Sequence, residues 1–149
     1  MQTGIVAALI LTLALPVFRP ELRQMTPLHH VDIVATDYAY VAPSSVPPGM
    51  TAFRLVNRGT HPHEVQLFRF KPGVSARTAR AYLVAGNVPD SAADESGGVL
   101  IAFPGVTAHE ELLASLVRGE RYALMCQFRD APGKPQHTAL GMVALLEVR

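Results

Sequence analysis

Four residues with metal-ligating side chains stand at the ends of predicted strands or in the loops beside them: His63, Cys126, His137 and Met142. His63 opens an alternating run directly after Pro62, and Cys126 lies at the end of another. His137 and Met142, five positions apart, flank the turn into the last apolar run. Two imidazoles, one thiolate and one thioether make a donor set that suits copper. Two His and one Cys fill a trigonal plane, with Met as a weak axial ligand. The soft thiolate favours Cu(I) and the imidazoles hold Cu(II), so one such ion is the expected cofactor. Zinc fits less well, because structural zinc sites draw on Cys, His and carboxylates rather than Met. Four protein donors leave no open position for a substrate, so no enzyme is expected.

Other candidates carry less. His61 lies two residues from His63 and reads as a solvated turn. His29-His30 could form a loose site, and His109 precedes Glu110-Glu111, but spacing places no further ligand beside either. Glu64 is expected to face out of its sheet. The chain contains no Gly-rich phosphate loop, no G-x-S-x-G elbow and no carboxylate pair set up for acid–base work.

The elements that must position these residues are short strands separated by Pro and Gly. Val31–Tyr40 is rich in β-branched and aromatic residues and ends at a turn cluster from Ala42 to Gly49. Thr51–Val56 alternates, with Phe53 and Leu55 on one face; Val65–Phe70 alternates again. From Ser75 to Ala85 the period changes, putting Ala76, Ala79, Tyr82 and Leu83 on one helical face behind a Ser75 N-cap. Residues 86–98 read as a surface loop and Val99–Phe103 as a strand. His109–Val117 fits a helix by composition and a strand by position. Tyr122–Phe128 and Leu140–Val148 read as strands. The spacing predicts an all-β Greek-key antiparallel β-sandwich or barrel of about 7–8 strands, with one helix inserted near 75–85.

Composition narrows the function. The 149 residues carry a formal charge of +1, and only 17% are charged. No basic excess exists to displace counterions from phosphates, so nucleic acid is not an expected partner. A single cysteine excludes an internal disulfide and any Cys-only metal site. Ile5 to Phe18 form an apolar run too short to cross a bilayer as a helix, which takes about 20 residues, but suited to a secretory signal peptide. An N-terminal core strand or buried helix is the other reading of this run. Residues 1–24 are therefore expected to be a leader and 25–149 the domain, with a periplasmic or secreted location. Contact with a membrane is expected only through an uncleaved leader.

Two segments resemble the ligand motifs of the cupredoxins, the blue-copper proteins. Val56-Asn-Arg-Gly-Thr-His-Pro-His63 has the V-N-x-x-x-x-P-H form of a plastocyanin-like first-ligand segment. His137-Thr-Ala-Leu-Gly-Met-Val143 has the H-x-x-x-G-M-V form of its last. The resemblance covers roughly 31–149 and extends to exported cupredoxin-like proteins that carry a helix after the first ligand strand. It implies that His63, Cys126 and His137 are equatorial ligands and Met142 the axial one. It also implies that Asn57 ties the ligand loops together by hydrogen bonds. One departure stands out: ten residues, Gln127–Gln136, separate Cys126 from His137, more than in small blue-copper proteins. Pro135-Gln-His137 and Gly141-Met142 are similar to the type 1 site of copper nitrite reductases. Met125 replaces the His that would hold the second copper of those enzymes, which excludes nitrite reduction. The long loop leaves open whether the site is blue or more tetragonal.

The expected role is one-electron transfer to a redox partner protein, with electrons passing through a partly exposed edge of His137. Two alternatives stay open: a copper carrier or sensor working with a copper-handling protein, and a cupredoxin-like module that binds no metal.

Overall fold

The computed structural model describes residues 27–149, so the expected leader and the first two residues of the expected domain lie outside the described residues. Among the described residues nine strands and one helix follow in order: β1 (His29–Thr36), β2 (Ala39–Val41), β3 (Ser45–Val46), β4 (Gly49–Asn57), β5 (His63–Phe70), α1 (Ala76–Val84), β6 (Ala93–Ala102), β7 (Leu112–Leu116), β8 (Arg121–Met125) and β9 (Val143–Val148). They form a four-stranded sheet ordered β2-β1-β4-β7 and a five-stranded sheet ordered β3-β9-β8-β5-β6. The expected sandwich with an inserted helix is present.

Alternation decides which side chains meet inside. In β7, Leu112, Ala114 and Leu116 are buried while Leu113 and Ser115 are exposed, and this period of two resolves the helix-or-strand ambiguity in favour of a strand. Val31 and Ile33 of β1, Phe53 and Leu55 of β4, Val65 and Leu67 of β5, and Tyr122 and Leu124 of β8 share one core between the sheets. The outer face of the larger sheet carries Phe70, Ala123, Met125 and Val143, and α1 covers it with Ala79 and Leu83. The helix starts where Ser75 Oγ accepts the Thr78 amide at 3.1 Å, satisfying a donor that the first turn leaves free. Its buried stripe is narrower than the sequence pattern implied, for Ala76 is exposed.

Several boundaries differ from expectation. The run 31–40 is two strands, because the chain turns at Asp37-Tyr38 and β2 pairs back on β1. The turn cluster 42–49 contains β3, which pairs with β9 in parallel, and β1 pairs with β4 in parallel; the sandwich is therefore not wholly antiparallel. The loop expected over 86–98 ends earlier, since β6 begins at Ala93. Asp94, Glu95 and the two glycines look like loop residues because they lie on an edge strand held by backbone pairing to β5, with a bulge between Gln66 and Phe68.

Candidate metal centre

Antiparallel pairing brings the first residue of β5 and the end of β8 to one pole of the sandwich. In β5 the alternation that buries Val65 and Leu67 also points His63 inward. In β8, Tyr122 and Leu124 face the core and Cys126 continues the series just past the strand. The ladder with β9 runs on as well: the Cys126 amide donates to the Met142 carbonyl at 3.3 Å. Residues opposed in this way project to the same face of a sheet, and Met142 is buried in the same core cluster as Cys126.

His137 reaches the site by a different route. Its amide donates to the Phe128 carbonyl at 2.8 Å, and the Thr138 amide donates to the Cys126 carbonyl at 3.0 Å. These bonds close a neck, so the long connection leaves the pole and returns to it. The Met142 amide then donates to the His137 carbonyl at 2.9 Å, which fixes the turn between the two residues.

The donor atoms converge. His63 Nδ1 and His137 Nδ1 are 3.2 Å apart, Cys126 Sγ and His137 Nδ1 are 3.3 Å apart, and all three donors lie within 4.8 Å of one another. Bonds of about 2.0 Å to nitrogen and 2.3 Å to sulfur in a trigonal plane place donors roughly 3.5–3.7 Å apart. The observed triangle is within a few tenths of an ångström of that at the two measured edges. His63 and Cys126 are 0% exposed and His137 is 1% exposed. The imidazole edge expected to reach solvent is therefore covered: Asp130 and the ring of Tyr38, whose centroid is 4.9 Å from that of His137, lie against it.

Both distal nitrogens have carboxylate partners. His63 Nε2 is 2.7 Å from Asp37 Oδ1, and His137 Nε2 is 2.9 Å from Asp130 Oδ1. A carboxylate accepts, so each Nε2 donates a proton and each Nδ1 is left with a lone pair. Two lone pairs facing each other at 3.2 Å repel unless a cation or a proton lies between them. Chemically, then, the residues present fit a metal ion.

The surroundings tune these groups. Burial pushes the Cys126 thiol up to about 11, against the amides of Glu64 and Phe128, which lower it. Burial also lowers His63, opposed by its bond to Asp37. Desolvation raises Asp37, but bonds from the Thr60 hydroxyl and amide, from His63 and from the His61 amide outweigh it and hold the carboxyl well below the usual range. Asp130 is lowered first by the Tyr38 hydroxyl, which donates to it at 2.6 Å.

Asn57 does not join the ligand loops to one another, as the resemblance implied; its bonds hold the turn before His63 and tie that turn to the end of β6. Buried at the end of β4, its Nδ2 donates to the carbonyls of His61 at 2.8 Å and Ala102 at 2.9 Å, and its Oδ1 accepts the Gly59 amide at 2.8 Å. His61 stacks on Tyr38 and lies 3.5 Å from Asp37 and 3.7 Å from Asp130. Alternation does put Glu64 on the face opposite His63, but the side chain is only 9% exposed rather than solvated. Its carboxylate accepts the Gln127 amide at 2.7 Å, and its own amide points at Cys126 Sγ at 3.5 Å. His30 pairs with Glu111 across the sheet, far in topology from the cluster, and His109 is exposed.

Sequence reasoning missed Asp37, Tyr38 and Asp130. An Asp inside a β-branched run is a turn signal, and metal-binding histidines commonly engage a carboxylate through their second nitrogen; together these are the available clues.

No protein-family model matches the chain, and no curated protein matches it in sequence. Solved structures do. Reduced rusticyanin is 18% identical, with a TM-score of 0.53 over 84% of this chain and 81% of its own. Auracyanin A, a blue copper protein from Chloroflexus aurantiacus, is also 18% identical, with a TM-score of 0.49 over 83% of this chain and 100% of its own. Two sheets with an inserted helix, superposable on rusticyanin over most of both chains, give this chain the fold of the cupredoxins.

Proposed function

We propose that this protein binds one copper ion through His63, Cys126, His137 and Met142 and carries single electrons outside the cytoplasm. The observation that supports this most is the buried triangle of His63 Nδ1, His137 Nδ1 and Cys126 Sγ, with measured edges of 3.2 and 3.3 Å. Copper held by two imidazoles, a thiolate and a thioether changes between Cu(II) and Cu(I) within one geometry. The chain's own residues supply the conditions. Cys126 gives up its proton to become the thiolate donor. The apolar residues Leu124 and Met142, buried beside it, keep water out and the local dielectric low. The hydrogen-bonded neck at Phe128 and His137 keeps the donors together in either oxidation state.

Burial of all three donors weighs against a readily exchanging carrier or sensor, which needs an accessible ion. Export rests on the apolar run Ile5–Phe18, and a redox partner protein would meet this one in that compartment. The test is titration of the apo-protein with Cu(II), followed by visible absorption and electron paramagnetic resonance. An intense band saturating at one equivalent, lost in Cys126→Ser, is expected. A weak or non-stoichiometric signal overturns the reading and leaves the fold standing.

A further inference from the structure

This inference rests on the copper reading and deepens it. We infer that Asp37 and Asp130 are positioning residues that orient both imidazoles toward the ion through Nδ1 and bias it toward Cu(II). Neither lies in the ligand motifs. Each reaches a different histidine from a different part of the chain: Asp37 from the turn between β1 and β2, Asp130 from the long loop after Cys126.

The arrangement is symmetrical in chemistry. Each carboxylate accepts a hydrogen bond from Nε2–H of one histidine, at 2.7 and 2.9 Å, and so selects the tautomer whose Nδ1 faces the other donors. Each carboxylate is itself anchored. Asp37 accepts from the Thr60 amide at 2.8 Å and hydroxyl at 2.6 Å, and Asp130 from the Tyr38 hydroxyl at 2.6 Å. The backbone leaves room for the first contact, since a Cβ at Gly59 would lie 2.2 Å from Asp37 Oδ1 and 2.8 Å from His63 Nε2. The second contact gives the long loop a purpose. Its neck returns His137 to Cys126, and its first turn brings Asp130 back over the same imidazole.

The electrostatic consequence follows from charge. With the Cys126 thiolate, two carboxylates add two negative charges beside a site sealed from solvent. Negative charge stabilises the dication more than the monocation, by an amount that solvent screening reduces at these two partly exposed carboxylates. Hydrogen bonding to a carboxylate also makes an imidazole a more basic donor, which again favours Cu(II).

The test separates charge from orientation. Asp130→Asn removes the charge but keeps an acceptor for Nε2–H; Asp130→Ala removes both. Asp37→Asn and Asp37→Ala repeat the pair at the other histidine, with near-ultraviolet circular dichroism as the check on folding. Asp130 sits in a surface loop, so its variants stand if those at Asp37 do not fold. Spectroelectrochemistry of the copper-loaded proteins reads the potential, and nitrogen-15 NMR of the metal-free proteins reads which ring nitrogen is protonated. Outer-shell partners commonly change metal affinity tenfold or more. Each Asn variant is therefore expected to lose about tenfold in preference for Cu(II), a rise of about 59 mV for a one-electron couple. In metal-free wild type and the Asn variants both Nε2 atoms stay protonated, whereas each Ala variant gives mixed protonation at the histidine that lost its partner. Unchanged or lowered potentials in the Asn variants overturn the electrostatic claim, and mixed protonation in wild type overturns the orienting claim. If wild type binds no copper the copper reading fails and takes the Cu(II) bias with it, while the metal-free NMR still decides orientation.

Discussion

The His137 amide donates to the Phe128 carbonyl at 2.8 Å, and this bond reconciles a ten-residue connection with donors 3.3 Å apart. Beyond the neck, the loop is free to be long. Its tip is exposed and held by a turn in which the Lys134 amide donates to Ala131, with the Arg129 guanidinium donating to the Lys134 carbonyl.

The tip is therefore expected to tolerate insertion. Four Gly/Ser residues placed between Pro132 and Gly133 lengthen an already closed loop, and each doubling of loop length costs only about 0.6 kcal/mol. Urea denaturation of the apo-protein should show a loss below that figure, and the visible spectrum with Cu(II) should be unchanged. A shifted band would mean that the tip, not the neck, sets the donor geometry.

Cys126 provides the second expectation. Its thiol is pushed up to about 11, so below that pH the metal must displace a proton to gain a thiolate. The sign is fixed: raising pH reduces the proton's competition and strengthens binding. Between pH 7 and 9, apparent Cu(II) affinity should rise about tenfold per unit for one released proton. Chelator competition at several pH values measures the slope. Cys126→Ser should flatten it, and a flat slope in wild type would mean that Cys126 is not a ligand. The same burial makes the metal-free thiol slow toward alkylating reagents at neutral pH.

The residues explain how much of this was legible. His63, Cys126 and Met142 could be read together because each stands at or beside a strand end, where alternation and turn signals are strongest, and His137 because of its spacing from Met142. Helix α1 was legible from its Ser75 cap and its change of period. Asp37 was hidden because its neighbours on both sides are good strand formers, so a hairpin between β1 and β2 looked like one strand. Asp130 was hidden for the opposite reason. An Asp in a loop rich in Pro and Gly is unremarkable until the neck bonds, which are backbone bonds, bring it back to His137. The exposure of His137 was misjudged by the same step, since loop residues are usually on the surface. The strand β3 and the start of β6 pair through their backbones, and their side chains leave no pattern to read.

Gly59 gives a third expectation. A Cβ there would meet Asp37 Oδ1 at 2.2 Å and His63 Nε2 at 2.8 Å, both closer than real contacts allow. Gly59→Ala must displace one partner of the bond between them. Overpacking of this kind costs about 1–3 kcal/mol. The loss should appear in denaturation of the apo-protein, together with a changed visible spectrum on copper loading. Wild-type stability and an unchanged spectrum would show that the Asp37 contact with His63 is dispensable.

Asp37 also sets an acid limit. Its carboxyl lies below the ordinary value of 3.8 because the bonds from Thr60, His63 and His61 outweigh the raising effect of burial. A group depressed in the folded state contributes stability that is fully present above its unfolded value and is lost as pH falls through the folded one. The metal-free protein should thus hold this contribution at neutral pH and begin to lose it below about pH 4. Asp37→Asn has no proton to take up there, so its stability should start lower and fall less steeply as the pH drops from 5 to 2. Thermal unfolding across that range measures both curves. Parallel curves would mean that protonation elsewhere governs acid unfolding and that the Asp37 carboxyl is not held below its unfolded value.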